Sequence, residues 1–315
     1  MTRRRSLLAG LGGIGSALAA GYFGYLGIVG SRRLVTPTLH ALDESPDLPG
    51  SPADLGLPHE KVRFTTDDGV TLDGWLIPAA RETRAAVILL HGFSWHRLPW
   101  LSLFVPWLRR RYHVLQFDFR GHGASDPAAT TLGTAERKDV AAAVRLLAGR
   151  GLGPIALYGI SMGGATAIVA APDLPVAAVI ADAAYADIRH PIANRMREQR
   201  LPLSGIGSWL ITAGAAIRAR TRLISPIDRV ADVAPRGLLL IAPRLDRLVS
   251  WEQSVKLYEA AREPKELYVV NGAEHGEART IGGEAYEGRV LSFLARHLEP
   301  DAARTAAKEE TGSRL

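Results

Sequence analysis

Ala85 to Leu90 is an unbroken apolar run that stops at His91-Gly92. A run of this length suits a strand covered on both faces. Tyr112 to Phe117, Pro154 to Tyr158, Val176 to Ala181, Leu238 to Ala242 and Glu266 to Val270 read as further strands. Segments with helical spacing lie between them: Leu98 to Arg109, Thr134 to Arg150, Met162 to Ala171, Trp251 to Arg262 and Glu284 to His297. In the second of these, Val140, Val144, Leu147 and Ala148 fall near one face. Ahead of them, Lys61 to Thr66 alternates, Asp67-Asp68-Gly69 turns, and Val70 to Pro78 returns as the second strand of a hairpin. Strands alternating with helices imply an α/β domain. Its mostly parallel, eight-stranded sheet carries helices on both faces and antiparallel strands at one edge. The stretch from about Asp187 to Arg236 breaks the alternation. Its apolar core, Leu201 to Ile217, has basic flanks and reads as a small helical cap over the strand ends. The domain spans residues 60–298, after a Pro-, Asp-, Ser- and Gly-rich linker at 34–59 and before a polar tail at 299–315.

The first 33 residues have a different pattern. Residues 6–31 carry no charge, and a helix of that length reaches about 39 Å, enough for a bilayer core. The leading expectation is a signal anchor: a single-pass transmembrane helix with the catalytic domain outside the cytoplasm, since Arg3, Arg4 and Arg5 precede it. Two alternatives stand beside it. Ala17-Leu18-Ala19 offers a signal-cleavage site that would give a secreted protein, and Arg4-Arg5-Ser6-Leu7-Leu8 resembles a twin-arginine export signal. A glycine-rich helix outside any membrane is the other reading.

Composition narrows the chemistry. The 315-residue chain has no cysteine, which excludes disulfides, thiolate metal sites and a cysteine nucleophile. Lys and Arg exceed Asp and Glu by 38 to 32, but the excess is scattered. No nucleic-acid module accompanies it, so nucleic acid is not an expected partner. Oligomeric state has no signature in the sequence.

The strongest chemical signal is Gly159-Ile160-Ser161-Met162-Gly163, set between a strand and a helix. A serine on such a turn stands clear of the sheet, glycines let the backbones approach, and the helix N-terminus favours developing negative charge. A hydroxyl needs a base to become a nucleophile. His275 follows the strand ending at Val270 across a short glycine-containing loop and suits that role. His190, in the cap, is the alternative base, and His297 reads as packing. The imidazole in turn needs a carboxylate to hold its tautomer. Asp246 follows the strand ending at Ala242, and Asp182 is the runner-up. The oxyanion donors are then the backbone N–H groups of Met162 and of Phe93, the latter just past His91-Gly92. His91 reads as a loop-stabilising residue. No metal or organic cofactor is required by this scheme.

In order along the chain, His91-Gly92, Asp118-Phe119-Arg120-Gly121-His122-Gly123-Ala124-Ser125, the Ser161 turn and the Asp246 and His275 loops resemble the α/β-hydrolase superfamily. Phe64-Thr65-Thr66-Asp67-Asp68-Gly69, with Gly74-Trp75 and Pro78, is similar to bacterial members described as serine-aminopeptidase-like. One position departs: Arg244 stands where members commonly have glycine ahead of the acid. The resemblance implies hydrolysis of an ester, thioester or amide through an acyl-enzyme, and a structural rather than catalytic role for Asp118, Arg120 and His122. A carboxylesterase acting on a small-molecule or lipid-like acyl substrate is the leading expectation. A peptidase of the same fold and a non-catalytic membrane-anchored scaffold are its rivals.

Overall fold

The computed structural model describes residues 16–37 and 48–299. Eight strands form one sheet: β1 Glu60–Thr65, β2 Thr71–Ile77, β3 Ala86–Leu90, β4 His113–Phe117, β5 Ile155–Ile160, β6 Ala178–Asp182, β7 Gly237–Pro243 and β8 Lys265–Val270. Their spatial order is β1-β2-β4-β3-β5-β6-β7-β8. β1 and β2 pair antiparallel, as do β2 and β4, and the remaining pairs are parallel. The mostly parallel α/β sheet expected from the sequence is the one observed.

Side-chain alternation explains why the central strands are apolar throughout. Ile88, Leu90, Leu157, Val179 and Leu240 point into one buried cluster, and Val87, Leu89, Ala156, Ile180 and Leu239 into another. The first is covered by helices α3 Arg137–Gly149, α4 Met162–Ala170 and α7 Trp251–Ala260, through Val140, Val144, Ile168 and Leu257. The second is covered by α2 Leu98–Leu108 and α8 Ala278–Leu298, through Leu101, Phe104, Val290 and Phe293. Each fully buried Leu, Ile or Phe contributes about 1.5–3 kcal/mol by leaving water. α8 starts earlier than the apolar period indicates, because two helical pieces meet at Gly283, whose φ of 53° breaks the pattern.

Two helices, α5 Arg189–Glu198 and α6 Ser204–Arg218, form the insertion between β6 and β7. Helix α1, described over residues 16–35, lies against α6. It passes through a π-helical turn, Leu26–Gly30, before its last turn, Ser31–Val35. Glycines allow the contact: a Cβ on Gly214 would lie 2.4 Å from the Gly27 carbonyl oxygen, and one on Gly30 would lie 2.8 Å from Ile211. Arg218 donates to Ser31 Oγ at 2.9 Å and to the Ile28 carbonyl at 3.1 Å. Tyr22 donates to the Pro202 carbonyl at 2.7 Å.

This packing corrects the expectation of a membrane anchor. No helix among the described residues is long and apolar enough to cross a membrane. The signal anchor and the single-pass placement therefore do not hold, and the external placement loses the anchor from which it was inferred. The uncharged segment is apolar and glycine-rich in part because its second half fits against α6, with Leu26 and Ser31 buried. Residues 1–15, including Arg3, Arg4, Arg5 and the start of the expected span, lie outside the described residues. So do 38–47 of the expected linker and 300–315 of the expected tail.

Candidate active site

Strand order reverses around β3, since β4 lies on one side of it and β5 on the other. The crevice beyond the carboxyl ends of such strands is where α/β sheets leave room for a ligand. Ser161 follows β5 at this place and caps α4 with φ 56° and ψ −115°, a conformation L-residues adopt rarely. The neighbouring glycines make it attainable. A Cβ on Gly159 would lie 2.1 Å from the Gly163 carbonyl carbon and oxygen, and one on Gly163 would lie 2.3 Å from the Leu90 carbonyl oxygen. Ser161 N–H donates to the Asp182 carbonyl at 2.7 Å, which fixes the turn to the end of β6.

The three side chains expected to converge are brought together. Ser161 Oγ and His275 Nε2 are 3.0 Å apart, and His275 Nδ1 is 2.6 Å from Asp246 Oδ2. The carboxylate's other oxygen accepts N–H bonds from Leu248 at 2.9 Å and Val249 at 2.7 Å, so it cannot rotate freely. The loops carrying acid and base are tied backbone to backbone. Arg244 N–H donates to the Val270 carbonyl at 2.9 Å and Leu245 N–H to the Ala273 carbonyl at 2.8 Å. Arg244, the departure from the common glycine, stacks its guanidinium 3.7 Å over the Trp251 ring. Among the described residues, no group of three or more His, Cys, Asp or Glu could hold a metal.

Met162 opens α4 directly after the serine, and Phe93 lies on the loop after β3. That loop is close to the serine: a Cβ on Gly92 would lie 3.6 Å from Ser161 Cβ.

Residues 87–308, well over half of the chain, match the alpha/beta hydrolase family. The chain belongs to this family. Its relatives include the uncharacterized protein YfhR of Escherichia coli K12, 32% identical over 253 residues, or 76% of this chain and 82% of YfhR. An esterase of Pyrococcus furiosus superposes with a TM-score of 0.68 at 30% identity, covering 79% of this chain and 94% of the esterase. The hydrolase GrgF of Penicillium, named a polyketide transferase, superposes with a TM-score of 0.63 at 26% identity, covering 77% of this chain and 99% of GrgF. Family, fold and esterase neighbours together support hydrolase activity.

Other histidines of this alpha/beta hydrolase serve its framework. His91 accepts from Phe119 N–H at 2.9 Å and donates to the Gly92 carbonyl at 2.8 Å, which fixes a neutral tautomer. Burial and the neighbouring His122 hold its pKa well below the usual value. His122 is likewise buried and lowered, and accepts from Ser94 N–H at 3.3 Å. Asp118 accepts from the backbone N–H groups of Arg97 at 2.8 Å and Ala124 at 2.9 Å. His190, in α5, packs against the acid loop, accepting from Ser250 N–H at 3.3 Å, while its neighbour Asn194 donates to the Leu248 carbonyl at 3.0 Å. The alternative base thus supports the loop that holds Asp246. His297 packs at Gly237, where an added Cβ would come 2.3 Å from its ring.

Two residues near the site escape a reading of the sequence. Tyr158 and Tyr286 are 128 positions apart, and their hydroxyls bond to each other. Tyr286 donates to Asp182 at 2.6 Å. A tyrosine inside an apolar strand or helix gives no local sign of such a partner.

Proposed function

We propose that this protein is a serine hydrolase that cleaves carboxylic esters through an acyl-enzyme on Ser161. The relay from Ser161 through His275 to Asp246, at 3.0 and 2.6 Å, carries the reading. In the cycle, Ser161 Oγ attacks the ester carbonyl carbon as its proton passes to His275 Nε2. The backbone N–H groups of Phe93 and Met162 stabilise the oxyanion; one such donor is worth about 10²- to 10³-fold in rate. The tetrahedral species collapses, the C–O bond to the alcohol breaks, and His275 Nε2–H protonates the departing oxygen. Water then attacks the acyl-enzyme while giving its proton to His275. The second collapse returns that proton to Ser161 Oγ and releases the acid. Asp246 holds the imidazole in the tautomer that leaves Nε2 free to accept, and stabilises the cation formed at each attack.

An apolar acyl group suits the surroundings. Trp95, two residues beyond Phe93, and Leu245, one before Asp246, are exposed large apolar side chains on the loops that carry the site. Ile281 is also exposed, with its Cγ2 3.8 Å from where a Cβ on Gly272 would stand in the His275 loop. Exposed apolar groups around a site commonly mark what binds there.

The test pairs a fluorophosphonate probe with p-nitrophenyl esters of increasing acyl length. The unsubstituted protein is expected to label, and to prefer butyrate or longer esters to acetate. Ser161→Ala should lose both labelling and turnover while keeping its thermal transition. Turnover persisting in Ser161→Ala would remove the serine from the mechanism.

A further inference from the structure

His190 and Asn194 stand four apart in α5, so both side chains leave the same face of that helix. The face meets the turn that carries Asp246. Asn194 Nδ2 is 3.2 Å from the Arg247 carbonyl oxygen and 3.0 Å from that of Leu248. Carbonyls only accept, and the Arg197 guanidinium at the other end of the amide only donates. The amide therefore turns its N–H groups to the acid turn and its oxygen to Arg197. Nδ2 also lies 3.0 Å from His190 Nε2, which accepts from Ser250 N–H at 3.3 Å. Two donors meet at that ring nitrogen, so it carries no proton. Burial, with Lys256 and Arg197, lowers the His190 pKa against the opposing effect of Asp187 and Asp246, in keeping with that state. Gln253, in the first turn of α7, accepts from Ala186 N–H at 3.2 Å and Asp187 N–H at 3.3 Å, which fixes the chain just ahead of α5.

The two carbonyls belong to the same peptide groups whose N–H bonds hold the acid. The group joining Arg247 to Leu248 gives its C=O to Asn194 and its N–H to Asp246 Oδ1, at 2.9 Å. The group joining Leu248 to Val249 gives its C=O to Asn194 and its N–H to the same Oδ1, at 2.7 Å. A peptide group is planar, with C=O and N–H pointing opposite ways, so holding one end aims the other. Hydrogen bonds in such a chain also polarise one another. We propose that Asn194 is a positioning residue for Asp246: through two peptide planes, it aims the donors that orient the carboxylate holding His275. The inference rests on the hydrolytic reading of Ser161, His275 and Asp246. With Oδ1 held by two N–H groups, Oδ2 is directed at His275 Nδ1, 2.6 Å away, whose Nε2 is 3.0 Å from Ser161 Oγ. Without the amide, both peptide groups lose a partner and can turn, and the carboxylate turns with them. A reacting constellation keeps its geometry only where such supporting bonds lock it.

The experiment is a double-substitution cycle in the full chain with p-nitrophenyl butyrate. Asn194→Leu keeps a branched side chain and removes the donor. Asn194→Asp keeps an oxygen for Arg197 and removes only the donor. Each is expected to lower kcat about 10-fold while KM stays within about twofold, because the base is misplaced and the substrate site is not. In an Asp246→Ala background the same substitutions should cost less than about twofold, since no carboxylate remains for the peptide N–H groups to aim. Proton NMR of the same samples follows the low-field resonance of His275 Nδ1–H in its bond to Asp246. That resonance should move upfield in both Asn194 variants. Thermal melts precede the assays, and where one variant does not fold the other decides. A loss of equal size in both backgrounds, or an unmoved resonance in a folded variant, overturns the inference. Absence of ester turnover in the unsubstituted protein would overturn the hydrolytic reading alone, since the resonance reports the bond between Asp246 and His275 in either case.

Discussion

Gly159 and Gly163 stand where a methyl group has no room, since the atoms a Cβ would meet belong to the backbone and cannot swing aside. That closeness lets Ser161 hold a positive φ within reach of His275. Gly159→Ala is therefore expected to lower stability by about 1–3 kcal/mol, and to cost activity beyond what the lost stability explains, because the strand–helix turn must open. Gly288→Ala is the control: a Cβ there meets nothing within 4 Å. Thermal melts and initial rates of both variants check the contrast. The acid gives a second expectation at this scale. Asp246→Asn can still accept from Leu248 and Val249, but its amide can present N–H to His275 Nδ1 and favour the unproductive tautomer. A fall in kcat of about 10³- to 10⁴-fold with a small change in KM is expected. A loss below tenfold would mean that another group orients the imidazole.

Strands were the most legible elements, because a chain buried on both faces must be apolar nearly throughout, and β3, β5 and β7 are, as is β6 up to Asp182. Ser161 and Asp246 could be proposed from sequence because each follows such a run, and His275 because it follows the strand Lys265–Val270; parallel strands bring those ends to one rim. The Asp182–Tyr286–Tyr158 relay could not, because its members come from separate elements and touch only in the folded chain. Helix α1 failed in an instructive way. A glycine-rich apolar segment has the same composition whether its glycines admit a lipid-embedded neighbour or a cap helix. What separates the two is the partner, and here Gly27, Gly30 and Gly214 bring α1 and α6 together. Gly214→Val should separate them, since its Cβ would lie 2.4 Å from the Gly27 carbonyl oxygen and 2.8 Å from Ser31 Cβ. Amide exchange over residues 26–35 is expected to quicken about 10-fold or more, the effect of losing about 1.4 kcal/mol of local stability. Unchanged exchange there would show that the contact does not hold α1.

At the scale of the whole molecule, two buried arginines tie the antiparallel edge to the parallel sheet. Arg97 joins Asp73 of β2, at 2.9 Å, to Asp118 beyond β4. Arg120 joins Asp139 of α3, at 2.7 Å, to Asp68 in the β1–β2 turn, at 2.9 Å, where Lys138 also reaches at 2.9 Å. These ties matter to the site because Arg97 and Arg120 belong to the loops after β3 and β4, beside the Phe93 segment. They also give stability a pH dependence whose sign can be worked out. The Arg120 hydrogen bond, then those from Thr66 and Lys138, hold the Asp68 carboxyl well below its ordinary value against the opposing effect of burial. A carboxylate with a depressed folded pKa binds fewer protons folded than unfolded. Its stabilisation is full above the unfolded value near 4 and is lost as pH falls toward the folded value. Asp68→Asn should cost about 1–2 kcal/mol at pH 7, discounted for partial exposure and for Arg120 keeping Asp139. The cost should shrink steadily below about pH 4, because acid removes the same charge from the unsubstituted protein. Urea melts of both proteins at pH 7 and at successively lower pH measure this convergence. A penalty constant with pH would mean that Asp68 contributes packing rather than charge, and that Asp139 alone sets the position of Arg120.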